Sequence, residues 1–174
     1  MPRHSCERGV IAQVVSESAG ITRGAEILVP YAGNGVMAFV ALACDAMVDC
    51  YDDRPEHHHW MCRHPFRAVI NGTVAVLRPS GRYDRVLCYA PDIPHRLIGT
   101  ELSCALDALR PGGRMVAVLP ASVLDEQDDA GLRSLLTQAH HMGWMGRVPT
   151  VRRSDGADDR LIIVTINVTE VGHA

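Results

Sequence analysis

Short apolar runs alternate with helix-forming stretches almost from the start of the chain, and this alternation narrows the fold more than any other feature. Glu26 to Pro30, Ala46 to Tyr51, Ala68 to Ile70, Arg85 to Tyr89 and Arg114 to Leu119 each have the length and apolar content of a buried strand. Helices are predicted at 8–20, 36–46, 55–63, 97–109 and 126–142. The first places Val10, Ile11, Val14, Val15 and Ala19 on one side, and the second is apolar nearly all round, as a buried helix must be. Pro55 fits the first turn of the third helix, Pro111-Gly112-Gly113 stops the fourth and Gly143 closes the fifth. Two last strands, Trp144 to Val151 and Leu161 to Val168, have only the polar stretch Arg152 to Asp159 between them and should pair antiparallel. Helices between successive strands require crossover connections. The expected class is therefore α/β: a mostly parallel seven-stranded sheet with an antiparallel final hairpin and helices on both faces.

The length of 174 residues suits one domain, with an N-terminal helix within 1–24 and a core over 25–168. The net charge of −3 argues against a protein that holds nucleic acid by bulk electrostatics. Arg147, Arg152 and Arg153 make at most a small basic spot on the last hairpin. The six cysteines include no C-x-x-C pair and mostly lie in apolar runs, so they are expected to be reduced core thiols. No apolar run reaches the roughly 18 residues of a membrane span. With no signal peptide recognised, a cytoplasmic location is expected. His57-His58-His59 cannot all point one way on a helix, and no acid or cysteine accompanies them at ligand spacing. They are read as a solvated helix face, and no metal centre is expected.

Two features carry chemistry. Pro30-Tyr31-Ala32-Gly33-Asn34-Gly35 joins the first strand to a helix, and glycine there permits positive φ and close approach of a ligand. The loop lies at the carboxyl end of the strand, where open parallel sheets bind ligands. Asp52 closes the second strand, 17 residues after Gly35, where a carboxylate can accept both hydroxyls of a ribose. Asp53 is placed to cap the following helix. Without a third glycine, the loop fits a dinucleotide-binding reductase poorly.

The order of these segments, with Arg82-Tyr83-Asp84-Arg85-Val86-Leu87 and then Leu109-Arg110-Pro111-Gly112-Gly113-Arg114-Met115-Val116-Ala117-Val118-Leu119-Pro120, resembles the class I S-adenosylmethionine-dependent methyltransferases. It is most similar to the branch related to DNA adenine amino-methyltransferases, often found in phages and mobile elements. The resemblance covers about residues 8–168. It implies a Rossmann-like methyltransferase fold, S-adenosylmethionine as cofactor and methyl transfer to an acceptor that the sequence does not name. Nucleic acid is one candidate acceptor, and a homo-oligomeric or protein partner is another expectation. Ala32, Gly33 and Gly35 would border the methionine part, Asp52 would hold the ribose, and Asn71, Gly72 and Thr73 would lie near the adenine. Pro30, Tyr31, Asn34 and Asp53 complete the cofactor set. The acceptor site would be formed by Tyr89, Ala90, Pro91 and Asp92.

This chain departs from the family pattern at two places. The first strand ends in Val29, where the family usually has an acid before the proline. The fourth ends Tyr89-Ala90-Pro91-Asp92, where Asn or Asp, two prolines and an aromatic residue are usual. Tyr89 cannot reproduce the amide or carboxylate contact to a target amine, and Asp92 replaces the aromatic that stacks on a flipped base. These departures leave two readings: an active methyltransferase, or a catalytically degenerate methyltransferase fold used as a binding or structural module of a phage or mobile element.

Overall fold

The computed structural model describes residues 4–78, 80–90, 95–124, 130–142, 145–147, 151–152, 158–159 and 161–168. Strand β1 (Glu26–Val29) shows how the sheet is buried. Its side chains alternate, as strand geometry requires. Ile27 and Val29 enter one apolar core, and Leu28 enters another on the opposite face. Strand β2 (Met47–Asp52) repeats the pattern, with Val48 and Cys50 on the first face and Tyr51 on the second. Helices cover both cores. On the first face lie α1 (His4–Ala19), α2 (Val36–Ala43) and α3 (Pro55–Met61). On the second lie α4 (His95–Asp107) and α5 (Ala130–Met142).

The remaining strands are β3 (Ala68–Asn71), β4 (Tyr83–Tyr89), β5 (Leu109–Pro120), β6 (Met145–Arg147), β7 (Val151–Arg152), β8 (Asp158–Asp159) and β9 (Leu161–Asn167). The main sheet has the order β3-β2-β1-β4-β5-β9-β6. The first five strands run parallel, while β9 is antiparallel to both β5 and β6. The fold class is the expected one. From β1 the chain steps outward through β2 to β3, then returns to lay β4 on the other side of β1. The connections of β1 and β4 thus leave on opposite faces, opening a crevice at their carboxyl ends.

Several boundaries differ from the sequence expectation. Helix α1 starts at His4 rather than near residue 8, and β4 starts at Tyr83 rather than Arg85. The Arg110-Pro111-Gly112-Gly113 segment, expected as a stop, is part of β5. It is held there by partners on both sides. Leu109 pairs with Tyr83, Arg114 pairs with Arg85, and the register shifts between them. Gly112 takes φ 76°, and its N–H donates to Val168 O at 3.0 Å. The connection Arg152 to Asp159 contains the short β7–β8 ladder. Between β3 and β4, where no helix was expected, the described residues contain one 3₁₀ turn, Val74–Val76.

Helix α1 is fastened at its carbonyl end by two arginines from neighbouring strands. Arg85 Nε donates to Ala19 O at 2.6 Å, and Arg114 Nη1 donates to Ser18 O at 2.8 Å. Cations there complement the helix dipole and satisfy its last carbonyls. Ile11 and Val15 are buried beneath the helix, each contributing about 1.5–3 kcal/mol.

Candidate functional site: the β1–β2 crevice and its buried carboxylates

The loop after β1 turns by means of three residues with positive φ: Tyr31 at 52°, Gly33 at 57° and Gly35 at 78°. Pro30 and Ala32 are buried, and Asn34 is exposed. The Ala32 N–H donates to Tyr51 O at 2.9 Å, which ties the loop to the end of β2. Gly35 has a packing reason as well as a conformational one. A Cβ there would lie 3.0 Å from the Phe39 ring and 3.1 Å from Trp60. Gly33 has no such neighbour, and its N–H donates to Asp52 Oδ2 at 2.7 Å. The two features singled out in the sequence therefore meet.

Asp52 is not bare. Its carboxylate is 1% exposed and surrounded by donors. Oδ1 accepts from Arg54 N at 3.0 Å and Arg54 Nε at 2.9 Å, with His57 Nδ1 at 3.3 Å; Oδ2 accepts from Arg54 Nη2 at 2.9 Å besides Gly33. Burial alone would raise its pKa. The hydrogen bonds from the Arg54 side chain, Gly33 N–H and Arg54 N–H outweigh burial and hold the carboxyl below its ordinary value. The Arg54 side chain is 45% exposed, so the lid over this buried acid is itself half in solvent.

The structure corrects two expectations at this site. His57 is turned inward to Asp52 rather than solvated, because the first turn of α3 comes directly after the strand end. His58 and His59 contact Cys62 and Arg63, and His64 packs with Phe39, Trp60 and Phe66. Asp53 does not cap α3: the N-cap residue is Arg54, and no side chain caps the helix. Asn71 lies in register beside Asp52, and the Gly72 N–H donates to Asp52 O at 3.0 Å. Asn71 and Gly72 thus lie beside the Asp52 backbone, with Thr73 next along the chain. Of the cysteines, Cys50 and Cys88 are buried and free as expected, while Cys62 is exposed.

Across the crevice, Tyr89 ends β4 half-buried against the α1–α2–α3 core, and Ala90 is buried with its N–H on Val118 O at 3.0 Å. Pro91 and Asp92 lie outside the described residues. Sequence reasoning missed the group facing this end from the other core. Glu101 of α4 is 6% exposed, and its charge acts on the Tyr31 phenol. Burial first, then the Glu101 charge, push the phenol pKa well up. Burial first, then Glu101, push the Cys88 thiol up to about 12. The signal was available: Glu101 interrupts the apolar stripe Ile98, Leu102 and Ala105 on α4.

A second buried acid was also missed. Asp49, on the same strand, accepts from Arg67 at 2.8 and 2.7 Å and from the Tyr83 hydroxyl at 2.9 Å, with Arg82 at 3.5 Å. Arg67 and Arg82 also reach Glu26, each at 3.1 Å. A cavity of about 360 Å³ opens beside them, lined by Tyr51, Ile70, Leu77 and Arg78 among others.

No protein-family model and no curated protein matches the chain. Solved structures do. A Listeria monocytogenes protein described as a class I S-adenosylmethionine-dependent methyltransferase superposes with a TM-score of 0.70 at 14% identity, over 96% of this chain and 60% of that one. The 23S rRNA methyltransferase ErmE gives 0.67 at 18% identity, over 94% and 69%. The Burkholderia thailandensis 1,6-didemethyltoxoflavin-N1-methyltransferase, solved with S-adenosylhomocysteine, gives 0.63 at 20% identity, over 94% and 79%. The chain has the class I methyltransferase fold. In that fold Gly33 follows the carboxyl end of β1 and Asp52 closes β2 beside it. Among the described residues, no helix is long and apolar enough to cross a membrane.

Proposed function

We propose that the chain is an S-adenosylmethionine-dependent methyltransferase. The observation that carries this reading is the 2.7 Å hydrogen bond from Gly33 N–H to the buried Asp52 carboxylate, at the mouth of the β1–β2 crevice. The residues present fit an adenosyl group. Asp52 is an acceptor-only group held ionised, suited to the hydroxyl pair of a ribose. Asn71 pairs beside Asp52 in the sheet, and Gly72 and Thr73 follow it. Arg54 is the competitor: its guanidinium makes the bonds that ribose hydroxyls would make, and its exposed side chain has solvent to swing into. The cofactor, when bound, supplies an electrophilic methyl on a sulfonium. Gly33 and Asp52 then position its nucleoside. The loop from Pro30 to Gly35 excludes water along one side, and Tyr89 and Ala90 border the space for the acceptor. The resemblance to amino-methyltransferases of phages and mobile elements makes nucleic-acid amines the first acceptors to assay, under the same proposal.

The competing reading is a fold retained for binding or assembly. It is favoured by the saturation of Asp52 with hydrogen bonds from its own chain and by Tyr89 at the end of β4. Calorimetric titration separates the two. Binding of S-adenosylmethionine and S-adenosylhomocysteine that weakens at least ten-fold in Asp52→Ala supports the enzyme. No binding of either by the wild type removes the cofactor reading.

A further inference from the structure

Glu101 presents an anomaly that packing does not explain. Its side chain sits on the buried face of α4 at 6% exposure, and Oε2 has no hydrogen-bond partner. A buried polar atom without a partner costs stability, because its hydration is lost and nothing replaces it. The Asp52 and Asp49 carboxylates, equally buried, have every oxygen engaged. Glu101 alone among these three keeps a buried oxygen without a donor, and an N–H or O–H brought from outside would satisfy it.

Its position says which part of a ligand would bring that donor. Tyr31, the residue that opens the β1–α2 loop, packs against the same core as α4, and the Glu101 charge helps to raise its phenol pKa. The sheet order is β3-β2-β1-β4 across the crevice. Asn71 to Thr73 end β3, Asp52 ends β2, Gly33 comes after β1, and Cys88 near Glu101 lies close to the end of β4. A nucleoside seated on Asp52 and Asn71 occupies the β2–β3 side. Whatever is attached to its 5′ carbon then extends toward β1 and β4, where Glu101 waits. S-adenosylmethionine carries a primary ammonium at the far end of that chain. An ammonium offers three donors and a full positive charge, matching an unpartnered carboxyl oxygen in a site of low dielectric.

We propose that Glu101 receives the ammonium of the cofactor's amino-acid end. The proposal rests on the reading of the chain as a cofactor-binding methyltransferase, yet it is separable from it. Glu101 discriminates ligands that carry an amino acid from those that carry only the nucleoside thioether.

The test compares S-adenosylhomocysteine with 5′-methylthioadenosine, which keeps adenine, ribose and sulfur but lacks the amino acid. Both are titrated calorimetrically into the full chain as wild type, Glu101→Gln and Glu101→Leu. The expected result is a loss of ten-fold or more in affinity for S-adenosylhomocysteine in both variants, with 5′-methylthioadenosine changed less than two-fold. Thermal melting supplies the second readout. Glu101→Leu removes an orphaned buried oxygen, so its ligand-free Tm should equal or exceed that of the wild type. Equal weakening of both ligands overturns the assignment, as does unchanged binding of S-adenosylhomocysteine or a lowered Tm in both variants. If the wild type binds neither ligand, the cofactor reading falls and takes the assignment with it. If it binds both and Glu101→Gln is neutral, only the assignment falls.

Discussion

Two buried aspartates sit three residues apart on β2, each clasped by an arginine, and their settings differ. Asp49 draws its donors from distant elements: Arg67 before β3, and Arg82 and Tyr83 at the start of β4. Arg67 is 25% exposed and is shared with Glu26, so the guanidinium is anchored from two sides. Asp52 is clasped by Arg54, only two residues on, and that arginine makes no second ion pair among the described residues. The first arrangement joins strands and has no reason to open. The second is local and half-exposed at its cationic end. The same pair of residue types therefore serves as a rivet in one place and, under the proposed function, as a removable cover in the other.

Replacing each acid measures the difference. Asp49→Ala leaves Arg67, Arg82 and Glu26 without the carboxylate that organises them. Breaking a buried, hydrogen-bonded pair from one side costs about 3–5 kcal/mol. Chemical denaturation should show a loss of that size, enough to threaten folding outright. Asp52→Ala should cost less, about 1–3 kcal/mol, because Gly33 N–H loses its acceptor while Arg54 returns to water. Its larger effect should be on ligand: S-adenosylhomocysteine affinity falls ten-fold or more by calorimetry. Equal stability losses in the two variants would remove the distinction between rivet and cover.

The arginines extend the comparison. Arg54→Ala uncovers Asp52, so binding of S-adenosylhomocysteine should tighten by about three- to ten-fold, with stability within about 1 kcal/mol of the wild type, as for other half-exposed pairs. Arg67→Ala should leave the affinity unchanged and destabilise the protein by several kcal/mol, since Asp49 would then stand buried with only Tyr83 and the more distant Arg82. A titration in which Arg54→Ala weakens binding would instead make Arg54 a ligand-holding residue.

The sequence disclosed the class of fold and the meeting of Gly33 with Asp52, because both rest on local signals: strand-length apolar runs, punctuating glycine and an acid at a strand end. It did not disclose what Asp52 touches. Arg54 and His57 were in plain sight, but a triple histidine after a proline reads as solvated helix, and only the strand-to-helix angle turns His57 inward. Asp49 was hidden for a different reason. An acid inside an apolar strand has meaning only through partners 18 and 34 residues away, and pairing across a sheet is not written in any local pattern. The strand character of Arg110 to Gly113 was masked likewise, since it depends on β4 and on Val168 closing over it. Glu101 could have been noticed as an acid on an apolar helical stripe, but its orphaned oxygen is a property of the packed core.

Acid titration gives the smallest and most specific contrast. The Asp52 pKa in the folded protein lies below the ordinary value of about 3.9. Between those two values the unfolded chain binds more protons than the folded one, so stability rises with pH across that window. The contribution is complete above about pH 4 and disappears as the pH falls through the folded value. Arg54 side-chain bonds are the largest of the influences that depress it, so Arg54→Ala should return the carboxyl toward its ordinary value and flatten the acid limb. Gly33 N–H and Arg54 N–H, which survive that substitution, should keep part of the slope. Melting temperatures of the wild type and Arg54→Ala should therefore converge as the pH is lowered from about 5 to about 3. Parallel curves would mean that backbone donors alone hold the charge, and that the arginine covers the site without stabilising it.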